Sequence, residues 1–433
     1  MRVRLQTLGC RLNEAELETW ARQFRQRGCT IARDAEPADL VVINTCAVTG
    51  EAVRKSRKLL RRAQRDNPRA RLVVSGCAAS IDGEDLGDAG IDLLVNNVDK
   101  DRLVEIASTE LALPLMPVTA TDPAAEALFA RGRQRAFVKI QDGCRYQCAF
   151  CVTTRARGDE RSRSATEICD EINQLTDGGI QEVVLAGVHA GGYGGDIGDS
   201  LSGLLARVLA DTDVPRIRLG SVEPWDLPDG FWNLFDDPRL MPHLHLPLQS
   251  GADSVLRRMA RRCKSGEFAR LIDVGRAAVP DLNVTTDVIV GFPGESDDEW
   301  RQTLDFVERV GFGHLHIFAY SPRTGTRAAT MPDPVPDAIK RARSRELHAL
   351  GTRLKHALLT RQIGRRMPLL LEAIGSDDEG PFQAAYTPNY LPVRLRNPDA
   401  SGTNHILPAQ LIGITANNQA LNAELDSLHQ PVS

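Results

Sequence analysis

The 433-residue chain lacks the features that would place it in a membrane or in a secretory compartment. No apolar run approaches the ~18 residues that a membrane-spanning helix requires. The first five residues, MRVRL, lack the apolar core of a signal peptide and read as a short strand. These absences predict a cytoplasmic protein. In that reducing compartment, clustered cysteines serve as metal ligands or catalytic groups more often than as disulfides.

The chain also lacks a strong net charge and any low-complexity tract. It carries 53 basic and 57 acidic residues, a formal net charge of −4, so its overall charge says nothing about nucleic acid. The length favours about three domains, and a hydrophobic content of 42% is enough to fill their cores. Recognition of a charged partner must therefore depend on local clusters of charged residues.

Cysteine is the informative part of this composition. Six of the nine cysteines fall into two sets of three. A closed structural zinc site requires four ligands, whereas a 4Fe-4S cluster can sit on three cysteines and leave one iron open to a substrate or cofactor. Two sets of three therefore predict an enzyme of difficult, radical-type chemistry. The local triad is Cys144, Cys148 and Cys151, and the dispersed triad is Cys10, Cys46 and Cys77.

The local triad has the spacing C-x3-C-x2-C, which packs three thiolates into one loop. We interpret it as the ligand set of a 4Fe-4S cluster whose open iron chelates the amino and carboxylate groups of S-adenosylmethionine. Reductive cleavage of that cofactor yields an adenosyl radical, so these three cysteines are the predicted catalytic residues. The alternative is a zinc knuckle that takes a distant histidine as its fourth ligand.

Residues 1–112 alternate strands and helices in the pattern of a doubly wound α/β domain. Each cysteine of the dispersed triad comes just after a predicted strand. Because the carboxyl ends of parallel strands meet at one edge of a sheet, the three thiols are expected to converge there. The alternative is three unrelated buried cysteines, which act as small apolar side chains. The predicted strands are 3–7, 40–44, 72–75 and 92–95, and the predicted helices are 13–27 and 49–66.

Residues 113–133, rich in proline and alanine, are predicted to form a linker. Residues 134–364 then repeat strand and helix six times, which favours a partial (β/α)6 barrel. The local triad follows the first of these strands, at the face where β/α barrels carry their active sites. Ser164, with Glu167 three positions on, predicts the start of a helix. The predicted strands are 136–140, 182–186, 216–219, 243–247, 284–290 and 314–319.

After about residue 365 the sequence changes to short predicted strands at 367–374, 382–386, 391–395 and 405–412, joined by Gly, Pro, Asn and Asp. They favour a small β-barrel over residues 365–433. Phe382, Tyr386 and Tyr390 can stack on splayed bases or fill the core of that barrel. From residue 366 onward there are three Arg and seven acidic residues, so this barrel would contribute shape and stacking to RNA binding more than charge.

Several segments together resemble the radical-SAM methylthiotransferases. In the N-terminal region they are TLGCRLN (7–13), NTCAVT (44–49) and SGC (75–77). In the barrel they are KIQDGCRYQCAFC (139–151), RARG (155–158), HLHLPLQSG (243–251) and GFPGE (291–295). The segment YTPNY (386–390) is similar to the TRAM module that closes those proteins. The resemblance spans essentially the whole chain.

Three further segments resemble the branch of that family that methylthiolates N6-threonylcarbamoyladenosine beside the tRNA anticodon. They are KSR (55–57), GVH (187–189) and YSPRTGT (320–326). The alternatives are the branch that modifies isopentenyladenosine in tRNA and the branch that modifies a ribosomal-protein aspartate. Thr154 stands where bacterial members often have Pro, and Ser80 where Gln is common. Neither is a cluster cysteine, so these departures bear on the branch and not on the family.

The resemblance implies a second 4Fe-4S cluster on the dispersed triad, which would hold or deliver sulfur. One S-adenosylmethionine would methylate that sulfur, and a second would be cleaved at the local triad, so that a methylthio group reaches C2 of the adenosine at tRNA position 37. The implied partners are the tRNA anticodon stem-loop, an electron donor of flavodoxin or ferredoxin type, and a sulfur source. A zinc-dependent RNA-binding protein without catalysis is the alternative of another class.

Five more residues are candidates for contacts with the cofactor. Two of them end predicted strands and can hydrogen-bond a ribose or the methionine amine, although a solvated loop explains the glutamate almost as well. Two glycines of the family segments permit close backbone approach, as a simple turn also would. The aromatic candidate can pack on the adenine or in the core. The two strand-end candidates are Glu223 and Gln249, the two glycines are Gly187 and Gly291, and the aromatic candidate is Phe150. His189, Cys29, Cys169 and Cys263 are expected to be structural.

Two groups of basic residues are predicted to contact RNA. From residue 54 to residue 71, nine of eighteen residues are basic and one is acidic, which differs from a solvated helix with glutamate partners. Five of them fall on one helix face and form a phosphate-binding footprint. The second group follows the local triad and can hold the anticodon-loop backbone. The first group is Arg54, Lys58, Arg61, Arg62 and Arg65, and the second is Arg155, Arg157 and Arg161.

Overall fold

A computed structural model of the protein describes residues 1–33, 36–82, 86, 90–114, 134–228, 230–396 and 402–426. The predicted linker 113–133 therefore lies outside the described residues, apart from its first two. Within these ranges, no helix is both long and apolar enough to cross a membrane. The fold is the predicted mixed α/β arrangement: an N-terminal parallel sheet, a central partial barrel of parallel strands and a C-terminal all-β barrel.

The N-terminal sheet is parallel throughout, with the strand order β2-β1-β3-β4-β5. The predicted strands and helices are confirmed to within about two residues. The sequence analysis missed β2, which has only two residues, and the helices α3 and α4. The strands are β1 (Arg2–Thr7), β2 (Thr30–Ile31), β3 (Leu40–Thr45), β4 (Arg71–Gly76) and β5 (Leu93–Val95), and the helices are α1 (Arg11–Gln26), α2 (Gly50–Asp66), α3 (Cys77–Asp82) and α4 (Leu103–Glu110).

The central region is a partial barrel of six parallel strands. Two three-stranded sheets, β6-β9-β10 and β11-β12-β13, are joined by single bridges, one of them between Ser221 and His245. Among the described residues, no pairing joins β13 back to β6, so the barrel is open there. The strands are β6 (Arg135–Lys139), β9 (Glu182–Ala186), β10 (Arg216–Leu219), β11 (His243–His245), β12 (Asn283–Val290) and β13 (His314–Ala319).

Helices cover the outside of this barrel. Alternate strand residues, such as Val138 and Leu185, pack outward into one large apolar core. Ser164 caps α6 in the predicted capping box with Glu167. The helices are α5 (Thr153–Arg157), α6 (Ala165–Asp177), α7 (Leu201–Asp211), α8 (Asp253–Arg258), α9 (Ser265–Ala278), α10 (Asp297–Val310) and α11 (Asp337–Thr360), and a short antiparallel pair, β7 (Gln141–Asp142) and β8 (Arg161–Ser162), brackets the local triad.

Helix α1 of the N-terminal region covers the free edge of the barrel. The backbone N–H of Phe137 on β6 donates to the Glu18 carboxylate over 3.1 Å. Ala15 packs with Phe137 and Val184 on the inner face of β6 and β9. A sheet edge left open in this way would otherwise be a template for wrong pairing. The N-terminal sheet and the barrel are therefore joined where the barrel fails to close.

The C-terminal region is a closed five-stranded barrel with the order β14-β15-β16-β18-β17, as predicted except for the missed strand β18. Its core consists of leucines, valine and alanine, among them Leu369 and Leu411. Phe382 lies under the guanidinium of Arg394, 4.5 Å from the ring centroid. The strands are β14 (Arg366–Asp377), β15 (Gly380–Tyr386), β16 (Pro392–Arg396), β17 (Ile406–Ile414) and β18 (Leu421–Leu425).

The loop 386–390 of this small barrel closes the lower end of the large one, which is the end at which the barrel strands begin. Tyr386 and Tyr390 stack on each other at 5.0 Å, and Arg135 lies over both rings. Arg216 and Arg218 of β10 donate to backbone carbonyls of the small barrel, from Pro368 to Pro388. The idea that Tyr386 and Tyr390 stack on RNA bases is therefore wrong, because both rings are taken up by this interface.

Glu182 lies among the three arginines at this lower end, one of which, Arg135, also pairs with Glu372. Glu182 lies 2.9 Å from Arg218, 3.3 Å from Arg135 and 3.8 Å from Arg216. All four side chains are at least nine-tenths buried. Burial alone would raise the pKa of Glu182, but the three positive charges hold it below its usual value.

We expect Glu182→Gln to lower the free energy of unfolding by about 3–5 kcal/mol, because it leaves buried guanidinium charges without a counter-charge. Thermal and urea denaturation would measure the loss. Asp211→Asn is the matched control, since it removes an exposed partner of Arg207 and should cost less than about 1 kcal/mol. Equal losses in the two variants would contradict the role given to Glu182.

Candidate active site

The dispersed triad converges at the carboxyl edge of the N-terminal sheet. Cys10 follows β1, Cys46 follows β3, and Cys77 begins α3 directly after β4. Cys46 and Cys77 are buried and Cys10 is exposed. Burial raises the pKa of the Cys46 thiol to about 11, and the neighbouring Cys10 and Cys77 contribute to the rise. The three thiols are thus close enough to influence one another.

Backbone and amide contacts fix the loops that carry these cysteines. Gly9 has φ +108°, and a Cβ added there would lie 2.8 Å from the Cys46 sulfur, so only glycine allows this approach. Asn13 donates to the Leu8 carbonyl over 2.7 Å and lies 3.7 Å from the Cys10 sulfur. Asn97 donates to the Cys77 sulfur over 3.8 Å. Two asparagines therefore orient two of the three thiols.

The local triad occupies the loop between β7 and α5, at the carboxyl end of the first barrel strand. All three of its thiols are half-buried. Burial raises the pKa of the Cys144 thiol to about 12. The Cys151 sulfur accepts the N–H of Thr153 over 3.3 Å. Arg261 reaches the Cys148 sulfur from the opposite side of the barrel, at 3.9 Å.

Each triad offers three thiols, which is the donor set of a 4Fe-4S cluster with one open iron. Across the described ranges, no group of three or more Cys, His, Asp or Glu side chains is set to hold a single metal ion. Because the free Cys46 and Cys144 thiols have raised pKa values, assembly of a cluster on them would release their protons.

A single buried arginine links the two triads. Helix α5 begins two residues after Cys151 and ends at Arg157, whose side chain is 1% exposed. Arg157 donates to Asn13 over 2.8 Å, to Glu16 over 2.9 Å and to Asp142 over 2.8 Å. The prediction that Arg157 contacts RNA is therefore wrong, because its guanidinium is enclosed between the N-terminal sheet and the barrel.

The charges around Arg157 form a closed network. Glu16 also lies 2.5 Å from the Lys100 ammonium, and Lys139 lies 2.9 Å from Asp142. Burial opposes ionisation of Glu16, but Arg157, Lys100 and Lys139 lower its pKa to about 2. Every member is buried and has an opposite charge beside it, which is the condition under which buried charges are tolerated.

Of the predicted cofactor residues, Glu223 lies beside the local triad. It accepts from both terminal nitrogens of Arg261, over 2.9 and 2.6 Å, so its carboxylate is held next to Cys148 by that arginine. Gln249, four residues after the end of β11, is buried with φ +72°, and its N–H donates to the Asp287 carbonyl over 2.8 Å. Their contact with a cofactor stays a prediction.

The other three cofactor candidates have packing explanations. Phe150 is half-buried and packs against an apolar cluster with Met259 and Phe292. A Cβ on Gly187 would lie 3.0 Å from Gln141, and one on Gly291, where φ is +75°, would lie 2.3 Å from Lys340. These glycines are required by close neighbours, and a role toward the adenine stays a prediction.

The basic face of α2 is exposed along its whole length. Helix α2 begins at the barrel mouth, where the Gly50 N–H donates to the Ser321 hydroxyl over 3.2 Å. The one acidic residue of this stretch, Asp66, contacts Arg62 and Arg65, and within the part of the chain that the structure describes no glutamate forms an ion pair with the face, as expected. The exposed residues of the face are Arg54, Lys58, Arg61, Arg62 and Arg65.

The remaining basic residues near the local triad differ in exposure. Arg155 is exposed at the mouth and donates to the Thr324 carbonyl over 2.7 Å. Arg161 is partly exposed and donates to the carbonyls of Arg157 and Asp159, each over 3.1 Å. Both are positioned to meet a ligand at the mouth. Their contact with RNA stays a prediction.

Several site residues were not found from the sequence. Arg261 is 113 positions from Cys148 and belongs to no segment that resembles the family. Glu16, Asn97 and Lys100 carry no local signal either. His189 is buried between Glu160 and Asp226, at 2.5 Å from each, which agrees with the structural role expected for it.

Comparison with family models divides the chain as its architecture does. Residues 2–96 match the family described as "Uncharacterized protein family UPF0004", and residues 138–307 match the Radical SAM superfamily. Among solved structures, the radical S-adenosylmethionine methyltransferase TsrM from Kitasatospora setae has a TM-score of 0.55 and 16% identity, covering 76% of this chain and 77% of that one. At that identity the likeness concerns the fold alone.

Curated relatives match over nearly the full length. The threonylcarbamoyladenosine tRNA methylthiotransferase MtaB of Bacillus subtilis is 35% identical, covering 90% of this chain and 89% of the relative. Its counterpart in Thermotoga maritima is 34% identical, covering 86% of each. The tRNA-2-methylthio-N(6)-dimethylallyladenosine synthase of Nitratidesulfovibrio vulgaris is 34% identical, covering 87% of this chain and 88% of the relative.

Iron counting tests the two triads independently. After anaerobic reconstitution we expect about eight irons and eight acid-labile sulfides in the unaltered chain, because each 4Fe-4S cluster supplies four of each. Replacing either triad by alanine should leave about four. The control variant, Cys29→Ala with Cys169→Ala and Cys263→Ala, should keep the full count. An unchanged count after removal of Cys10, Cys46 and Cys77 would show that the dispersed triad holds no cluster.

Proposed function

Since the chain belongs to the radical-SAM methylthiotransferase family, we propose that it transfers a methylthio group to C2 of N6-threonylcarbamoyladenosine at position 37 of tRNA. The observation that carries the proposal is the pairing of two three-cysteine sites through the buried Arg157 of helix α5. A one-cluster radical enzyme has no need of the second site. The choice of nucleoside is supported by the names of the MtaB relatives and by the segments that resemble their branch.

As a radical-SAM protein, the chain binds a 4Fe-4S cluster and S-adenosylmethionine, which together supply an adenosyl radical that removes hydrogen from an unreactive carbon. We assign that cluster to Cys144, Cys148 and Cys151. We assign the sulfur-carrying second cluster to Cys10, Cys46 and Cys77. We infer that Glu223, which Arg261 holds beside Cys148, hydrogen-bonds the cofactor.

The role of the surrounding residues is to hold both sites at a fixed separation. Arg157 ties the helix after Cys151 to the helix after Cys10 through Glu16 and Asn13. Because reactions of oriented groups depend steeply on their separation, a rigid link of this kind favours transfer between the two sites.

The tRNA partner would meet the basic face of α2 and then the barrel mouth. Since the N-terminus of α2 lies against Ser321 at the mouth, phosphates bound along the helix would lead a nucleotide toward the lumen. The small C-terminal barrel would support this arrangement from below instead of stacking on bases. An electron donor of flavodoxin or ferredoxin type and a sulfur source complete the proposal.

A second candidate substrate is dimethylallyladenosine, also called isopentenyladenosine. It is favoured by the relative of Nitratidesulfovibrio vulgaris, whose identity is close to that of the MtaB proteins. The two nucleosides differ in charge, because only threonylcarbamoyladenosine carries a carboxylate. The site that distinguishes them must therefore recognise that group or exclude it.

The reaction can be tested with the reconstituted enzyme, S-adenosylmethionine, a reductant and tRNA that carries either nucleoside. We expect nucleoside mass spectrometry to show the 2-methylthio derivative of threonylcarbamoyladenosine. Replacement of either triad by alanine should abolish the product, whereas the variant of Cys29, Cys169 and Cys263 should retain it. Product from the isopentenyl substrate alone would move the chain to the other branch, and a colourless zinc-loaded protein without product would refute an enzymatic role.

The basic face of α2 can be tested by its salt dependence. The variant with Arg54→Gln, Lys58→Gln and Arg61→Gln should bind tRNA roughly tenfold more weakly, and the slope of log K against log salt should fall by about two to three. The control removes the same charge elsewhere through Arg207→Gln, Arg301→Gln and Arg309→Gln. Equal slopes in the two variants would show that α2 has no special contact with phosphate.

A further inference from the structure

The lumen of the partial barrel is polar at mid-height. Alternate strand residues face inward because their neighbours in sequence pack outward against the helices. On β11, β12 and β13 these inward residues include His245, Asp287 and His316. The His245 ring lies 3.3 Å from Asp287 and 5.3 Å from the His316 ring. His316 is exposed, so the lumen is open to solvent on this side.

Most cations that border this lumen are already neutralised. Each has at least one carboxylate within 3.3 Å and is itself buried. A ligand with a negative charge would have to displace these partners, at the cost of leaving them buried and uncompensated. The neutralised cations are Arg135 and Arg218 on Glu182, Lys139 on Asp101 and Asp142, and Arg261 on Glu223.

Arg11 differs from these cations in both exposure and pairing. It is the first residue of α1, and its side chain is 58% exposed. Its ion-pair contact in the structure is Glu14, at 3.5 Å on the same helix, a longer contact than those of the other cations. Its guanidinium lies 5.1 Å from the centre of the Phe137 ring, on the inner face of β6.

The charge of Arg11 reaches the other walls of the lumen. The protein atoms around the partly exposed His316 on β13 are the main cause that lowers its pKa, and Arg11 is one of the charges that lower it further. Burial raises the pKa of Tyr386 in the loop from the small barrel, and Arg11 is one of the charges that oppose this rise. The geometry thus places an exposed, weakly paired cation beside Phe137, on the β6 side of the lumen.

The chemistry of the substituted adenine indicates what such a cation would bind. The carbon that carries the N6 substituent and the reacting carbon C2 flank the same ring nitrogen, N1. The substituent and the reaction therefore share one edge of the purine. A group that binds the threonyl carboxylate must then lie close to the site that delivers sulfur, and Arg11 adjoins Cys10 of the dispersed triad.

We propose that Arg11 binds the threonyl carboxylate of N6-threonylcarbamoyladenosine and so selects this nucleoside over one with an uncharged prenyl group. The proposal rests on the proposed function, which it deepens by naming a specificity residue. A guanidinium can hold a carboxylate through two parallel hydrogen bonds, and the pair is stronger in a partly enclosed lumen than in water. Phe137 supports the flat guanidinium from one side.

The test measures the binding of anticodon stem-loops to the reconstituted protein by fluorescence anisotropy. The stem-loops carry threonylcarbamoyladenosine, isopentenyladenosine or unmodified adenosine. We expect the unaltered protein to prefer the first over the second, and Arg11→Gln to weaken binding of the first roughly tenfold or more while leaving the second nearly unchanged. The preference is a ratio within each variant, so it does not depend on how fully the clusters are loaded.

Two further variants separate charge from local structure. Arg11→Lys keeps the positive charge but loses the planar pair of donors, so its preference should lie between those of the unaltered protein and Arg11→Gln. Arg309→Gln is the matched control, because Arg309 is an exposed arginine that lies over an aromatic ring, Phe306 at 5.2 Å, on a helix outside the barrel. This variant should leave the preference between the stem-loops unchanged. A full preference in Arg11→Gln would overturn the proposal. So would a loss in Arg11→Lys as large as that in Arg11→Gln.

The same experiment distinguishes this inference from the proposed function. If the unaltered enzyme neither prefers nor converts threonylcarbamoyladenosine, the proposed function itself is wrong, and the role of Arg11 is wrong with it. If the unaltered enzyme converts that nucleoside and Arg11→Gln discriminates as well as it does, only the role of Arg11 is wrong.

Discussion

The arrangement depends on the buried ion pairs of Arg157 with Glu16 and Asp142. A guanidinium removed from water is tolerated only when its charge is matched at close range, and here the matching groups come from different parts of the chain. Asp142 precedes the local triad and Glu16 follows the first cysteine of the dispersed triad. Neither region can shift without separating these charges, so the electrostatic requirement also fixes the relation between the two cysteine sites.

The same principle recurs at the lower end of the barrel, where Glu182 neutralises arginines that would otherwise be buried and uncompensated. Those arginines in turn donate to the carbonyls of the small C-terminal barrel. The large barrel is thus connected to both of its neighbours through charged groups on its inner face. Its apolar core, which faces outward to the helices, stabilises each strand but does not make these connections.

Local patterns explain how much of this could be predicted. The sequence predicts the barrel strands because the residues that face outward along each strand are apolar. It predicts the start of α6 because Ser164 and Glu167 form a capping box within four residues. The convergence of Cys10, Cys46 and Cys77 followed from a rule about the ends of parallel strands. In each case the cause lies within a short stretch of chain.

The errors concern residues whose partners are distant in sequence. The sequence predicts a surface role for Arg157 because it stands among other arginines, but its burial depends on Glu16, 141 positions away. The sequence does not decide between stacking and core roles for Tyr386 and Tyr390, because their partners are arginines of another region. Arg261 was missed for the same reason. Side chains that connect regions leave no periodic trace in the sequence.

The closure of the lower end by loop 386–390 limits the routes by which a substrate can pass through the barrel lumen. Arg135, Tyr390 and His243 fill the floor of the lumen, with the Tyr390 and His243 rings 4.8 Å apart. The lumen is therefore closed at its lower end, so a strand of RNA cannot be threaded through the barrel from the mouth to that end. Any substrate that reaches the lumen has to enter and leave through the mouth or through the solvent-exposed side beside His316.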